Sequence, residues 1–210
     1  MQTVVTVDKY RGRAAIGILA GALIALTMIA TPLDRASASA GAEAFVKKVA
    51  GNVVSTIKSG GSDARQLSRF RSVFTSNADI ASIGTFALGK YAKQLPSSRR
   101  SEYFSLVEKF VTKVFLSRMT RAAVNTVEVK GSQTFGKDEV VTTNVAFTDG
   151  RPDLVFKWRV RRKGGGYKVV DISVAGVWLA VEQRSTFVSV INQAGGDVGA
   201  LLSYLRQQVA

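Results

Sequence analysis

The sequence contains no cysteine and no histidine. Without cysteine the chain forms no disulfide and offers no thiolate nucleophile. Without histidine it lacks imidazole bases and Ser-His-Asp triads, and the two absences together remove the usual zinc ligands. The side chains left for catalysis are carboxylates, lysines, hydroxyls and tyrosines, which does not favour an enzyme. We therefore expect no catalytic residues, no metal site and no cofactor.

Acidic side chains are scarce beside basic ones: 15 Asp and Glu stand against 29 Lys and Arg, a net charge of +14. In a cytoplasmic protein this excess would suggest nucleic acid. The export signal described below argues against that partner, and no nucleic-acid-binding motif is recognisable. We expect anionic lipid head groups or an acidic docking surface instead. A merely solvated basic surface is the alternative.

Only one long apolar run is present, and it lies near the N-terminus. Three basic residues precede the apolar segment 14–30, and the small residues of 31–40 offer cleavage after Ala38 or Ala40. This layout is typical of a secretory signal. At 17 residues the run falls just short of the ~20 that a membrane span needs, so an uncleaved anchor is the alternative.

The same segment sets the predicted domain organisation. We expect residues 1–40 to be a cleavable signal peptide and residues 41–210 to be a single exported domain. Residues 1–40 hold four basic and two acidic side chains, so 25 basic and 13 acidic ones remain, a charge of about +12. The exported domain is therefore still strongly basic.

Apolar residues recur at spacings of three and four through the first half of this domain, which predicts helices. The predicted helices span 42–58, a segment starting at Ser62 or Asp63, 79–91, and a long helix from Pro96 to about Arg121. Residues expected on their buried faces are Phe45, Val46, Val49, Val53, Ile57, Leu67, Phe70, Val73, Phe74, Ile80, Ile83, Phe86, Ala87, Phe104, Val107, Val111, Val114 and Phe115.

From residue 123 the period changes to two, which predicts strands. Strands are expected over 123–130, 138–147, 153–160 and 167–174, with turns at 131–137, 149–152 and 164–166 and two helices after them. Short connections make the sheet antiparallel. The pattern predicts an α+β fold: a four-stranded antiparallel sheet covered on one face by helices from both ends of the chain.

Aromatic side chains are numerous at positions that the pattern turns inward. They either fill a core or line an apolar cavity between the sheet and its helices, and both interpretations stay open. If there is a cavity, the candidate lipid-binding residues are Phe86, Phe104, Val111, Phe115, Phe147, Phe156, Trp158, Val174, Trp178 and Phe187.

Asp171 is the one carboxylate expected inside, midway along an apolar strand. It could act as a base in a cavity, as in small α+β isomerases and dehydratases. Pairing with an Arg or Lys on a neighbouring element is the alternative, and it is the commoner fate of a buried carboxylate. A partner cation would argue against catalysis.

Two stretches carry a family resemblance. One places an Asp and apolar residues before Leu-Gly-x-Tyr, and the other is a Val-Asp-Ile strand before a Gly-Val corner, Arg-x-x-Phe and a Gly-x-Asp turn. They resemble the MlaC family, the toluene-tolerance-type auxiliary components of lipid ABC transporters in Gram-negative bacteria. The matching residues are Asp79, Ile83, Phe86, Leu88, Gly89, Tyr91, Val170, Asp171, Ile172, Gly176, Val177, Arg184, Phe187, Gly195 and Asp197.

The resemblance implies a monomeric periplasmic carrier of a phospholipid, working between an outer-membrane lipoprotein complex and an inner-membrane ABC transporter. Two departures make the implied pocket more apolar: Trp178 replaces a frequent Ser and Phe115 replaces a frequent Tyr. Because a hopanoid-associated branch exists, a polycyclic lipid is an alternative ligand. The competing functions are an Asp171-dependent enzyme and a docking module with a solid core, tethered by residues 14–30.

Overall fold

The computed structural model describes residues 33–119 and 123–210, except for the side chains of 33–38, 63 and 115–119. These residues form six α-helices and five strands, in agreement with the predicted α+β class. The helices are α1 (Leu33–Lys58), α2 (Asp63–Asn77), α3 (Ile80–Leu88), α4 (Arg100–Met119), α5 (Leu179–Gln193) and α6 (Val198–Val209). The strands are β1 (Val124–Phe135), β2 (Asp138–Phe147), β3 (Leu154–Lys163), β4 (Gly166–Val174) and β5 (Val177–Trp178).

The strands form one antiparallel meander in the order β1-β2-β3-β4-β5. The sequence predicted four strands, and the structure has a fifth, the short edge strand β5. Ala175 and Gly176 both adopt positive φ, 49° and 89°, which reverses the chain at once after β4. Val177 and Trp178 then pair back onto the end of β4. A two-residue strand has no alternation to detect, so the pattern could not predict it.

The predicted turn at 131–137 is also too long. β1 continues to Phe135, and only Gly136 and Lys137 lie between β1 and β2. Gly131 lies inside the strand, with φ 125°, where the register of β1 against β2 shifts. A glycine within a strand pattern commonly marks such a bulge, because no side chain opposes the local bend.

The two faces of the sheet differ as the alternation of β3 predicts. The inner face carries Phe156, Trp158 and Val160, all buried, and the helices cover it. The outer face carries the exposed Lys157 and the half-buried Arg159. Helix α1 packs across β1 and β2 through Val46 and Val49, on the apolar stripe that the sequence predicts.

Helices α3, α4, α5 and α6 pack against one another beside the sheet. α3 is shorter than the predicted helix 79–91, because Gly89 at φ 56° ends it and a 3₁₀ turn (Gly89–Tyr91) follows. Pro96 precedes a second 3₁₀ turn (Ser97–Arg99) and does not itself open α4. Both corrections concern helix ends, where local turn geometry competes with the helical pattern.

In the described ranges, no helix is both long and apolar enough to cross a membrane. The predicted signal segment 14–30 lies outside those ranges. α1 runs without interruption through Ala38 and Ala40, the two predicted cleavage positions. Cleavage at either position stays a prediction.

Candidate functional site

The buried apolar residues fall into two separate clusters. The helical core contains the inward side chains of α3, α4, α5 and α6: Ala87, Leu88, Tyr91, Leu95, Tyr103, Leu106, Val107, Phe110, Phe187, Ile191, Val198, Leu201, Leu202 and Leu205. The sheet core joins α1 to the inner face of the sheet: Ala42, Val46, Val49, Ala50, Ala78, Val124, Val141, Val145, Phe156, Trp158, Val160 and Val169. A single domain usually has one contiguous core, so the division needs an explanation.

A cavity of about 340 Å³ lies between the two cores and draws its wall from both. Residues of the helical core on the wall include Val107, Phe110 and Phe187, while Val49 and Trp158 come from the sheet core. α2 closes the cavity with Phe70, Val73 and Phe74, and the other apolar wall residues are Val53, Ala78, Ile83, Ala87, Val111, Val114, Val169, Val170, Ile172, Leu179 and Ala180. The cavity therefore presents an almost wholly apolar surface.

Trp158 contributes its ring to this wall from β3. Its Nε1–H donates to the Thr143 hydroxyl on β2 over 2.9 Å, and both residues are buried. The polar end of the indole is thus satisfied inside the sheet. What faces the cavity is the apolar part of the ring, held in one orientation.

The polar residues of the wall cluster on α5 and α6. Glu182, Gln183 and Thr186 lie on α5, Tyr204 and Gln208 lie on α6, and all are exposed or half-buried. Asn77 and Asp171 complete the polar part of the wall. The cavity is therefore lined mainly by apolar residues and edged with polar ones on the α5–α6 side.

The described wall carries no Lys or Arg. The overall excess of basic residues had suggested anionic lipid head groups as one partner. On the described wall the charged residues are instead the two carboxylates Asp171 and Glu182. The basic side chains lie elsewhere on the surface, because a cation facing an apolar void would lose its hydration without a partner.

Asp171 is the buried carboxylate of the wall, at 7% exposure. Its Oδ1 accepts the backbone N–H of Ala180 over 2.9 Å and that of Ile172 over 2.8 Å. Arg159 lies directly opposite on β3. Burial raises the pKa of Asp171, against the two hydrogen bonds and the attraction of Arg159, which lower it.

Ala180 belongs to the first turn of α5, and Trp178 at the N-cap provides no side-chain acceptor there. Asp171 therefore supplies, from β4, the acceptor that the helix N-terminus lacks. Its carboxylate has a structural task and faces a cation, which are the conditions under which the sequence interpretation disfavours a catalytic role.

The structure places three of the ten predicted binding residues on the cavity wall: Val111, Trp158 and Phe187. Four others pack within or against the cores without reaching it, namely Phe104, Phe147, Phe156 and Val174. Trp178 lies on the outer side of the sheet, stacked on Arg159. Phe115 lies outside the described side chains. Lipid contact by the ten stays a prediction.

Phe86 was expected on the buried side of α3, and this is wrong. The side chain is 40% exposed, and the guanidinium of Arg184 lies 5.1 Å from its ring. The buried face of α3 is made by the smaller Gly84 and Ala87 together with Leu88. Gly84 leaves no room there for a larger residue, because an added Cβ would meet Phe104 at 3.0 Å.

The wall residues that the site prediction missed lie mainly on α1 and α2. The helical spacing of apolar residues had placed five of them on buried helix faces, namely Val49, Val53, Phe70, Val73 and Phe74. No periodicity distinguishes a helix face that fills a core from one that borders a void. The prediction favoured the aromatics of the sheet and so overlooked α2.

The family model described as "MlaC protein" matches residues 47–207. The chain belongs to the MlaC family. The match covers every described strand and all six helices at least in part, and it confirms the resemblance seen in the two sequence stretches.

A curated relative of this MlaC-family chain is the "Intermembrane phospholipid transport system binding protein MlaC" of Haemophilus influenzae. The two sequences are 22% identical over 131 residues, which is 60% of each chain, so the alignment spans less than two thirds of that relative. A solved phospholipid-binding protein from Ralstonia solanacearum, in complex with a phospholipid, has a TM-score of 0.69 at 23% identity. The structural match covers 80% of this chain and 96% of the Ralstonia chain. At this sequence identity the likeness establishes the fold alone.

Proposed function

We propose that this chain binds a phospholipid, with acyl carbon in the cavity and the head group at the polar edge formed by α5 and α6. The observation that carries the proposal is the void between the two cores. The cavity is open on one side, so without a ligand its apolar wall of aliphatic and aromatic side chains would face water. An exposed apolar wall of this extent is typical of a binding site, because a ligand that covers it removes carbon surface from water.

The energetics suit hydrocarbon. Each buried CH₂ contributes about 0.8 kcal/mol, so a tail of roughly fifteen methylenes represents about 12 kcal/mol of transfer free energy. A volume of 340 Å³ lies near the low end of the ~300–1,000 Å³ typical of small-molecule pockets. A polycyclic lipid would bury comparable carbon, and it is the competing ligand.

The comparisons support the same proposal. The chain is an MlaC-family member, its curated relative is named for phospholipid transport, and its structural neighbour was solved with a phospholipid. We extend this to a periplasmic carrier, exported by residues 1–40 and exchanging lipid with an outer-membrane lipoprotein complex and an inner-membrane ABC transporter. The sequence holds no nucleotide-binding loop, so the direction of net transport would come from these partners.

The proposal is tested by native mass spectrometry of protein purified without detergent. We expect a bound species with the mass of a phospholipid, and the intact mass also shows whether residues 1–40 have been removed. Val111→Trp places an indole in the cavity, so we expect it to lower lipid occupancy at least about fivefold, since the new side chain occupies the space of the tail.

Ser105→Trp is the matched control, because Ser105 lies on the exposed side of the same helix. It should leave lipid occupancy unchanged. Equal occupancy in the two variants would refute the cavity as the binding site. Protein that is always empty and takes up no labelled phospholipid would refute the carrier function itself.

A further inference from the structure

On the outer face of the sheet, an arginine is flanked by two aromatic rings. The guanidinium carbon of Arg159 lies 4.5 Å from the ring centre of Trp178 and 5.2 Å from that of Phe135. Its Nε is buried and has no hydrogen-bond partner among the described residues. A buried donor left without an acceptor costs about 1–3 kcal/mol, and such groups are rare in folded proteins.

The neighbouring carboxylates do not satisfy this donor. Asp171 faces Arg159 across the β3–β4 pair, but its Oδ1 is held by two backbone N–H groups at the start of α5 and in β4. Asp138 lies opposite Arg161 on the outer face. Its carboxylate accepts hydrogen bonds from Nε and from a terminal nitrogen of Arg161, over 2.6 and 2.9 Å. The Nε of Arg159 thus stays without an acceptor, although two carboxylates lie on the strands that flank β3.

The surroundings of Arg159 combine exposed apolar groups with positive charge. Phe135 is 63% exposed, although it is one of the largest apolar side chains of the sheet, and Val155 is exposed on the same face. Lys157 lies between Val155 and Arg159 on β3.

Beyond Arg159 the surface continues through Arg161 into a shallow groove that Phe86 and Arg184 also line. Aromatic residues and arginine are the side chains most enriched at the centres of protein–protein interfaces.

We propose that the outer face around Arg159 is a docking surface for an acidic protein partner, which places an Asp or Glu side chain against the edge of the guanidinium that Phe135 and Trp178 flank. A carboxylate matches the planar fork of arginine and would pair with the terminal nitrogens of Arg159, which are not among the buried donors. The proposal rests on the carrier function for why a partner exists, but it concerns a surface separate from the cavity.

A protein partner suits this geometry better than a membrane surface does. The two rings flank the guanidinium, so a projecting side chain reaches its outer edge more readily than the head groups of a flat bilayer. The net charge of about +12 that residues 41–210 carry would in addition speed the encounter with an acidic surface.

The test places a photo-crosslinking amino acid at Lys157, which is exposed on the same face, in the full chain expressed in its native host. We expect an adduct with one protein through a segment that contains Asp or Glu. Arg159→Ala should reduce this adduct at least about tenfold, as expected for a central interface anchor. Replacing the crosslinked acid of the partner by Ala should reduce it equally.

Arg162→Ala is the matched control. Arg162 follows on the same strand and also stacks on an aromatic ring, that of Tyr167 at 5.5 Å, so the variant removes the same charge and a similar contact from another site. It should change the adduct less than twofold. Arg159→Lys keeps the positive charge but loses the planar guanidinium. The amount of adduct that it forms should lie between those of Arg159→Ala and Arg162→Ala.

Three outcomes overturn the proposal: no adduct, an adduct unaffected by Arg159→Ala, or binding to vesicles of phosphatidylglycerol and phosphatidylethanolamine that depends on Arg159. The last would identify a membrane as the occupant. Lipid occupancy of Arg159→Ala, measured by native mass spectrometry, should equal that of the parent. A loss of docking with full occupancy therefore separates this surface from the carrier function.

Discussion

Two buried aspartates hold the junctions where the chain passes between the sheet core and the helical core. Asp171 on β4 accepts the N–H of Ala180 at the start of α5. Asp79, at the start of α3, accepts the N–H and the hydroxyl of Ser82 and pairs with Lys163 of β3 over 2.7 Å. Both belong to the two stretches that resemble the MlaC family. Asp79 and Asp171 therefore stabilise the connections between the two cores, and their observed contacts are structural.

The charge of Asp79 makes stability depend on pH. Burial tends to raise the pKa of this carboxyl, but the hydrogen bonds from Lys163 and Ser82 outweigh it and hold the pKa below its usual value. The unfolded chain therefore binds the proton more readily than the folded one does. The stabilisation is complete above the usual aspartate value of about 3.9 and disappears as pH falls through the lower folded value.

We expect Asp79→Asn to lower the free energy of unfolding at pH 7 by about 0.5–1 kcal/mol. The effect is modest because Lys163 is largely exposed and the amide still caps α3. The difference from the parent should shrink as the pH falls below about 4. Urea unfolding at a series of pH values measures it.

Lys163→Gln is the complementary control for this prediction. It should remove the same pH-dependent component, and combining it with Asp79→Asn should add little, since the two side chains form one ion pair. Fully additive effects, or a difference that persists at low pH, would contradict the assignment.

At the scale of elements, α3 and α5 approach closely at Gly89. The residue has φ 56°, and a Cβ added there would lie 2.9 Å from Nε of Arg184 and 3.1 Å from Cγ2 of Val188. Glycine is needed for two reasons, the left-handed backbone and the missing side chain. Only the first can be anticipated from a Leu-Gly sequence at a helix end.

Gly89→Ala should therefore destabilise the fold through both terms. We expect a loss of about 2–4 kcal/mol. About 1–3 kcal/mol of it comes from the backbone at φ 56° and ψ −126°, which residues with a Cβ avoid, and about 1 kcal/mol from the shift of Arg184 and Val188. Chemical denaturation gives the free energy of unfolding.

Gly136→Ala is the matched control for Gly89→Ala. Gly136 has a similar φ of 62°, but a Cβ there would contact nothing within 4 Å. Gly136→Ala should therefore lower the free energy of unfolding only through the backbone strain at positive φ. Equal losses in the two variants would show that α3 and α5 do not need the close approach.

The element pattern also explains which parts of the fold could be predicted. β3 alternates strictly, because one side packs against helices and the other faces solvent, so the sequence analysis placed its aromatic residues Phe156 and Trp158 inside. β5 was missed because it has two residues. Phe86 was misplaced because the helical period locates an apolar stripe but does not reveal that Gly84 lets neighbouring aromatics pack in its place.

At the scale of the molecule, the cavity divides the apolar interior into two cores that a bound ligand would join. A ligand that binds only the folded state stabilises it by about 2.7 kcal/mol at a hundredfold excess over its Kd. For a domain of this size that corresponds to a rise in Tm of roughly 5–10 °C.

We therefore expect delipidated protein to melt several degrees below the same protein reloaded with phospholipid, by calorimetry. Val111→Trp should abolish this lipid-dependent shift, because its indole fills the space that the tail would occupy. Ser105→Trp should retain the shift. A shift of equal size in both variants would mean that the lipid binds outside the cavity.

The sequence by itself determined the α+β class, the apolar face of each long element, the family and the absence of thiol and imidazole chemistry. These follow from residue identities and from spacings of two, three or four, which act over a few residues. The tertiary structure alone decided that the two cores leave a void, which wall residues border it, and that Arg159 lies between Phe135 and Trp178. The reason is that periodicity states which side of an element avoids water, whereas the separation of two dry faces depends on contacts between residues far apart in the chain.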